Sequence, residues 1–258
     1  MFKISLVTIN LNNINGLKRT FDSVYSQTCD EFEYIVIDGG STDGSVDLIN
    51  QNEEHIDYWH SEKDTGIYNA MNQGIRKATG EYILMLNSGD ALYSEYIIKN
   101  ILDNIVLTGQ DFIYGNVLWE ENGKQSVGYF PTHLTFEYFT RYALHHQVLF
   151  IKKTALERLN LYNENYKIVA DWALQLDGII KHSMSYKYWN EIISICPRDG
   201  ISCKPESWPM IEQERAKHLN QFYAGFLPDY QRYHKLATEL EAIKNRKVFR
   251  MLKWFGLG

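Results

Sequence analysis

Four short polar stretches in this chain carry residue types that bind nucleotides, cations or polar ligands. The first is Asp38-Gly39-Gly40-Ser41-Thr42-Asp43-Gly44-Ser45, which follows an apolar run. A carboxylate at its start can accept hydrogen bonds from a ribose or a base edge. As an ordinary turn, the same stretch would let Asp43 or Thr42 cap the next helix. It is not the dinucleotide fingerprint, because position 41 is Ser, and the chain has no Gly-Lys-Ser/Thr phosphate loop. The second stretch is Asn87-Ser88-Gly89-Asp90. These residues favour a tight turn. They also offer oxygen ligands to a hard divalent ion, Mg²⁺ or Mn²⁺, which takes one or two carboxylates together with substrate phosphates. One Asp beside an Asn is a thin set, so a diphosphate would have to complete it. The third is His145-His146-Gln147, a pair of imidazoles before an apolar strand. The fourth is Asp171-Trp172, where Asp at a helix start also reads as a cap.

The elements that must position these residues are legible in the periodicity. Strands are expected over residues 3–10, 33–38, 56–61, 82–86 and 112–119, with helices over 15–27, 45–52, 67–78 and 95–106 between them. Strand-helix alternation implies a mostly parallel sheet covered on both faces. Ligands of such sheets bind beyond the carboxyl ends of the strands. That rule selects Thr8 and Asn10, Asp38, Ser61 to Asp64, and Asn87 to Asp90. Asp38, Asp64 and Asp90 would share one edge, where mutual repulsion favours a cation or a polar ligand. After residue 119 the pattern changes to strands over 126–130 and 147–151, a helix over 135–142, a helix over 171–181 and a strand within 184–195. From Pro209 onward the reading is helical, with Pro228 opening a new segment.

Charge and composition narrow the class. The 258 residues carry 32 acidic and 26 basic side chains, a net charge of −6, which lacks the basic excess of a nucleic-acid binder. The three cysteines, Cys29, Cys196 and Cys203, form no Cys-x-x-Cys pair, which argues against a structural zinc site and for a reducing compartment. The first thirteen residues do not read as a signal peptide. No apolar run approaches the roughly 20 residues that span a bilayer.

In order and spacing, these blocks resemble family 2 glycosyltransferases of the GT-A fold. Ser5-Leu6-Val7-Thr8-Ile9-Asn10 and Tyr34-Ile35-Val36-Ile37-Asp38-Gly39-Gly40-Ser41-Thr42-Asp43-Gly44 are similar to the start of that family. The stretch from Glu62-Lys63-Asp64-Thr65-Gly66-Ile67-Tyr68 through Asn69-Ala70-Met71-Asn72-Gln73-Gly74-Ile75 resembles a block of its bacterial cell-surface polysaccharide branch. Leu86-Asn87-Ser88-Gly89-Asp90 falls where the family carries an Asp-x-Asp metal motif, and His146-Gln147 and Ala170-Asp171-Trp172 match two later signatures.

The resemblance implies roles. Thr8, Asn10 and Asp38 would hold the nucleoside, and Asp64 the base or ribose. Asn87 and Asp90 would lie at the nucleotide-sugar, with Asp90 binding the Mn²⁺ or Mg²⁺ that bridges the diphosphate. Asp171 would be the general base, and His146 and Trp172 would lie near the acceptor or diphosphate. Two departures stand out: Asp-x-Asp is reduced to Asn-Ser-Gly-Asp, and Asn69 stands where many relatives carry Asp.

The activity implied is inverting, hexosyl-type transfer from a nucleotide-sugar, with UDP favoured, to a glycan or polyprenyl-diphosphate-linked acceptor. The expected place is the cytoplasm, peripheral at the inner face of the membrane. A sugar-phosphate nucleotidyltransferase and a non-catalytic nucleotide-sugar-binding protein remain as alternatives. The former would carry a basic, Gly-rich loop where Asn10-Leu11-Asn12-Asn13 stands. The expected organisation is an α/β GT-A domain over 1–205, a Rossmann-like mostly parallel sheet flanked by helices, and a helical C-terminal extension over 206–258. Within that extension, residues 244–255 interleave basic and apolar side chains. They read either as a helix lying on an anionic membrane surface or as one docked on the core.

Overall fold

The computed structural model describes residues 3–104 and 109–245. The segment read as a membrane-surface helix lies outside the described residues from position 246 onward. The chain divides into two compact units between Ile211 and Glu212.

The first unit begins with β1 (Ile4–Asn10), whose seven residues are all buried, as a strand covered on both faces requires. Asn13 then opens α1 (Ile14–Tyr25), its Oδ1 accepting from the Gly16 amide at 3.1 Å. Leu17, Phe21 and Val24 put one face of that helix into the core. The alternation continues through β2 (Phe32–Asp38), α2 (Ser45–Gln51), β3 (Tyr58–Ser61), α3 (Ile67–Lys77) and β4 (Tyr82–Met85). A two-residue β5 (Ala91–Leu92) and α4 (Ile97–Asn104) follow. Then come β6 (Phe112–Glu121), β7 (Lys124–Gly128), α5 (Phe136–Arg141), β8 (Leu149–Lys152), α6 (Lys153–Arg158), α7 (Ala170–Leu176) and β9 (Tyr186–Pro197). The second unit holds most of α8 (Trp208–Phe222) and all of α9 (Leu227–Lys244).

These strands form one sheet in the order β3-β2-β1-β4-β8-β6-β9-β5, with β7 on β6. The β3-β2-β1-β4 part is parallel, and β6 also runs parallel to β9. β8 enters antiparallel between β4 and β6. Leu6, Val36, Leu84 and Phe150 are fully buried against the helices. Each such side chain contributes roughly 1.5–3 kcal/mol by leaving water. Gly80 enters β4 hard against β1, where a Cβ would stand 2.7 Å from the Ile4 carbonyl carbon, so no larger residue fits there.

Two elements escape the periodicity reading, β5 and α6, because two and six residues are too short to show a period. β8 starts at Leu149 rather than 147, since His146–Val148 forms a 3₁₀ turn. The helix expected over 171–181 is α7 followed by a π-helical turn through Lys181. No helix among the described residues is long and apolar enough to cross a membrane.

Candidate active site

The register of the parallel strands aligns the first site residues. Asn10, Asp38 and Ser61 are direct partners across β1, β2 and β3. Asp38, in the middle, accepts from Asn10 Nδ2 at 2.8 Å, Ser61 Oγ at 2.7 Å and Ser41 Oγ at 2.6 Å. It also accepts from the amides of Gly40 and Ser41 at 3.1 and 2.8 Å. Burial works against the charged carboxylate, but the hydrogen bonds from Ser41, Ser61 and Asn10 outweigh it and lower its pKa. Asp38 is thus an ionised organiser of the turn, with both oxygens already engaged.

Two clefts open at this edge of the sheet. One, of about 600 Å³, is walled by Asn10, Leu11, Asp64, Thr65 and the start of α3. The other, of about 440 Å³, is walled by Arg19, Asp90, Trp119, His145, His146 and Asp171. Both fall in the range of small-molecule sites. They share Ile67, Tyr68, Asn87, Ser88, Lys167 and Ile201, so they meet at the turn after β4. Three buried amide oxygens among the described residues, Asn10 Oδ1, Asn87 Oδ1 and Gln147 Oε1, have no hydrogen-bond partner in this orientation of their amides. Asn10 and Asn87 wall the larger cleft, and Asn87 and Gln147 the smaller one. Buried acceptors are normally satisfied.

The second cleft is organised by His146. Because β8 runs antiparallel to β4, the turn that opens β8 returns to the end of β4. There His146 Nε2 lies 2.9 Å from the Asn87 side-chain amide, and Nδ1 faces Asp171 Oδ2 at 3.6 Å. Asp171 Oδ1 accepts from the Tyr68 hydroxyl at 3.1 Å and from the Trp172 amide at 2.9 Å. The single Tyr68 hydroxyl hydrogen is shared with the Ile168 carbonyl, the nearer acceptor at 2.5 Å, which fixes the ring against the approach to α7. The cap position of α7 is Val169, and Asp171 lies within the first turn, where it takes the otherwise free amide of Trp172. Burial would raise the Asp171 pKa, but the hydrogen bond and charge of His146, with the Trp172 amide and Tyr68, lower it overall. Asp171 is therefore an ionised carboxylate, with a fifth of its side chain exposed. His145 differs: burial first, then the neighbouring His146, push its pKa down to about 4, and its ring packs edge-on to Trp119 at 4.6 Å.

Asp90 is 8% exposed. Burial raises its pKa to about 6, only partly offset by His146, Cys196 and Arg19. Cys196 reaches it because Ala91 pairs with Ile195 across β5 and β9. A desolvated carboxylate gains most from a nearby cation. Among the described residues no group of three or more His, Cys, Asp or Glu side chains could hold a metal ion. Asp90 and Asn87 are the oxygen-bearing side chains of this turn besides Ser88, and all three wall the smaller cleft; one carboxylate with amide and hydroxyl oxygens is a set that suits a hard cation only when a ligand such as a diphosphate completes it.

Three of the residues expected at the site line neither cleft. Thr8 is fully buried and accepts from the Tyr34 hydroxyl at 3.0 Å. Asp38 is enclosed by its turn. Trp172 is 1% exposed, with Nε1 donating to the Phe139 carbonyl at 2.6 Å, and belongs to the core. Asn10, Asp64, Asn87, Asp90, His146 and Asp171 all face a cleft. The structure adds Tyr68, Lys167 and Arg19, the last paired with Glu120 at 2.7 Å. Tyr68 is visible in the sequence only as part of a motif, and no periodicity singles out Lys167 or Arg19. Asn69 is engaged with Glu164 at 2.8 Å.

Asp64 depends on Gly39. Its Oδ1 accepts from the Gly66 amide at 2.9 Å, and a Cβ on residue 39 would stand 2.7 Å from its other oxygen. Gly39→Ala is expected to displace Asp64 and weaken nucleotide binding while the protein stays folded. Titration calorimetry with the free nucleoside diphosphate checks this; an unchanged Kd would take Asp64 out of the binding site.

Comparison with known proteins bears on this arrangement. The family described as "Glycosyl transferase family 2" matches residues 5–164. A PGL/p-HBAD biosynthesis glycosyltransferase of Mycobacterium bovis is 29% identical over 198 residues, which is 75% of this chain and 75% of that protein. An uncharacterized glycosyltransferase of Mycobacterium tuberculosis is 31% identical over 175 residues, 65% of each. Among solved structures, S. aureus TarS 1-349 in complex with UDP-GlcNAc superposes with a TM-score of 0.67 at 16% identity, covering 85% of this chain and 67% of that one. Mannosyltransferase PcManGT from Pyrobaculum calidifontis, in complex with GDP-Man and Mn²⁺, gives a TM-score of 0.58 at 14% identity, covering 99% and 83%.

Proposed function

The chain belongs to glycosyl transferase family 2 and has the GT-A fold; from that premise we propose that it is an inverting transferase acting on a nucleotide-sugar. One observation carries the reading. An ionised carboxylate, Asp171, stands in the same cleft as Asp90 and is tied to the Asn87 turn through His146.

The nucleoside occupies the larger cleft, where Asp64 and the unpaired Asn10 oxygen accept its hydrogen bonds. The diphosphate lies at the junction of the clefts, beside Asn87, Ser88 and Lys167. Asp90 and Asn87 would hold a divalent ion there, and the chemistry such an ion would supply is neutralisation of charge on a departing diphosphate. The sugar extends into the smaller cleft. The acceptor hydroxyl approaches its anomeric carbon from the face opposite the diphosphate. Asp171 takes the hydroxyl proton as the new C–O bond forms and the bond to the diphosphate breaks. Tyr68 and His146 keep the carboxylate ionised and aimed.

A UDP-sugar is the favoured donor, supported by the UDP-GlcNAc complex of the TarS neighbour. The acceptor is a glycan or polyprenyl-diphosphate-linked glycan at the inner face of the membrane. In this reading residues 1–205 are the catalytic domain and 206–258 an extension that serves acceptor or membrane access.

A thermal-shift panel of UDP-, GDP- and dTDP-sugars, each with and without Mn²⁺, tests the proposal. A ligand that binds only the native state raises the melting temperature by mass action. A UDP-sugar is expected to do so strongly with Mn²⁺ and weakly without it. No shift with any nucleotide-sugar, or consumption of a nucleoside triphosphate with a sugar phosphate, would overturn it.

A further inference from the structure

Helix α1 ties down the turn that carries Asn87 and Asp90. Three of its side chains, Thr20, Ser23 and Gln27, are spaced three and four residues apart and share one face. Each bonds the backbone of the stretch that follows β4. Ser23 Oγ accepts from the Leu92 amide at 3.1 Å. Gln27 donates to the Ser94 carbonyl at 2.9 Å and accepts from the Ile98 amide at 3.2 Å. Thr20 reaches the turn itself, where its Oγ1 accepts from the Gly89 amide at 3.0 Å. Its single hydroxyl hydrogen has three carbonyls in reach. That of Asp90 is nearest at 2.7 Å, against 3.1 Å for Gly16 and 3.3 Å for Asn87. Thr20 is fully buried and lines neither cleft, so it meets a ligand only through the turn.

We propose that Thr20 is a positioning residue for Asp90, fixing the backbone from which its carboxylate meets the cation of a bound nucleotide-sugar. This rests on the reading of Asp90 as a cation ligand. Asp90 is the single carboxylate of the turn, so no neighbour there can replace it. A carboxylate one methylene from its backbone goes where the backbone goes, and hard cations tolerate little error in ligand distance. Gly89, at φ +107°, restrains the chain least of any residue and brings no side chain to hold it. Thr20 supplies that restraint, with one bond to Gly89 and one to Asp90. Ser23 and Gln27 hold the chain beyond Asp90, where no ligand is expected.

Thr20→Val keeps the shape of the side chain and removes the hydroxyl, and Thr20→Ser keeps the hydroxyl. Calorimetric titration of UDP at a series of Mn²⁺ concentrations gives the Mn²⁺ level for half-maximal binding. That level is expected to rise about tenfold or more in Thr20→Val, as is usual when a ligand loses its supporting partner. It should return close to wild type in Thr20→Ser and stay at wild type in Ser23→Ala, which loses a bond of the same face to Leu92. Thr20→Cys, a weaker donor and acceptor, should fall between valine and wild type and serves if the valine variant does not fold. Without any ligand, the Gly89 amide should exchange its hydrogen faster in Thr20→Val and as slowly as wild type in Thr20→Ser. A valine variant that melts lower but needs no more Mn²⁺ would make Thr20 a packing residue and overturn the proposal. An equal rise in Ser23→Ala, or no recovery in Thr20→Ser, would overturn it too. Wild-type UDP binding indifferent to Mn²⁺ would overturn the reading of Asp90, and this inference with it.

Discussion

Asp171→Asn is expected to lower kcat by about 10²–10⁴-fold, the usual contribution of a general base, with the donor Kd unchanged. The amide keeps the volume of the carboxylate and can still meet Tyr68 and His146, but it cannot take the acceptor's proton. Because the ionised Asp171 also accepts from the Trp172 amide and Tyr68, the variant should melt somewhat below the wild type at neutral pH, and turnover is therefore compared per folded molecule. The measurements are turnover per folded molecule, nucleotide-sugar titration and a thermal melt. A variant with normal turnover but lower stability would make Asp171 a structural residue and remove the base from the mechanism.

Asp90→Asn is expected to abolish most transfer and to remove the Mn²⁺ dependence of donor binding, since no other carboxylate belongs to that turn. It should also stabilise the protein when no ligand or metal is present. The native pKa of Asp90 is raised to about 6, above the ordinary value of 3.8. Between these values the native state holds a proton that the unfolded chain has released, so stability falls as pH rises through that window. Above about pH 6 the full penalty of a buried charge remains, and Asn does not carry it. The variant should therefore melt higher than wild type at pH 7.5 without metal, and about equally at pH 4. Protons and cations compete for the same carboxylate, so the acid limb of the wild-type rate should shift to lower pH as Mn²⁺ is raised. Unchanged metal dependence in the variant would sink the assignment of Asp90.

The parallel half of the sheet was legible because its signals are local. Residues 3–10 are β-branched and apolar, the helix after them repeats at 3.6 residues, and the turn residues stand at the strand ends. Parallel strands put those ends on one edge, and that rule selected Thr8 and Asn10, Asp38, Ser61 to Asp64, and Asn87 to Asp90. The resemblance added Asp171 and His146, which no local pattern could assign.

Tertiary structure decided the rest, for physical reasons that no window of sequence contains. β8 runs antiparallel into the sheet and so returns His146 to Asn87, 59 residues earlier in the chain. Whether a polar side chain faces a ligand or a neighbour depends on which hydrogen bonds are already made. Asp38 and Thr8 are of the right type at the right edge, yet their oxygens are occupied by Ser41, Ser61 and Tyr34. The sequence by itself determined which strand ends carry candidate ligand-binding side chains. Packing alone decided which of those side chains remain open to a ligand, and at what charge, because burial and hydrogen bonding belong to the assembled surroundings of a residue rather than to its type.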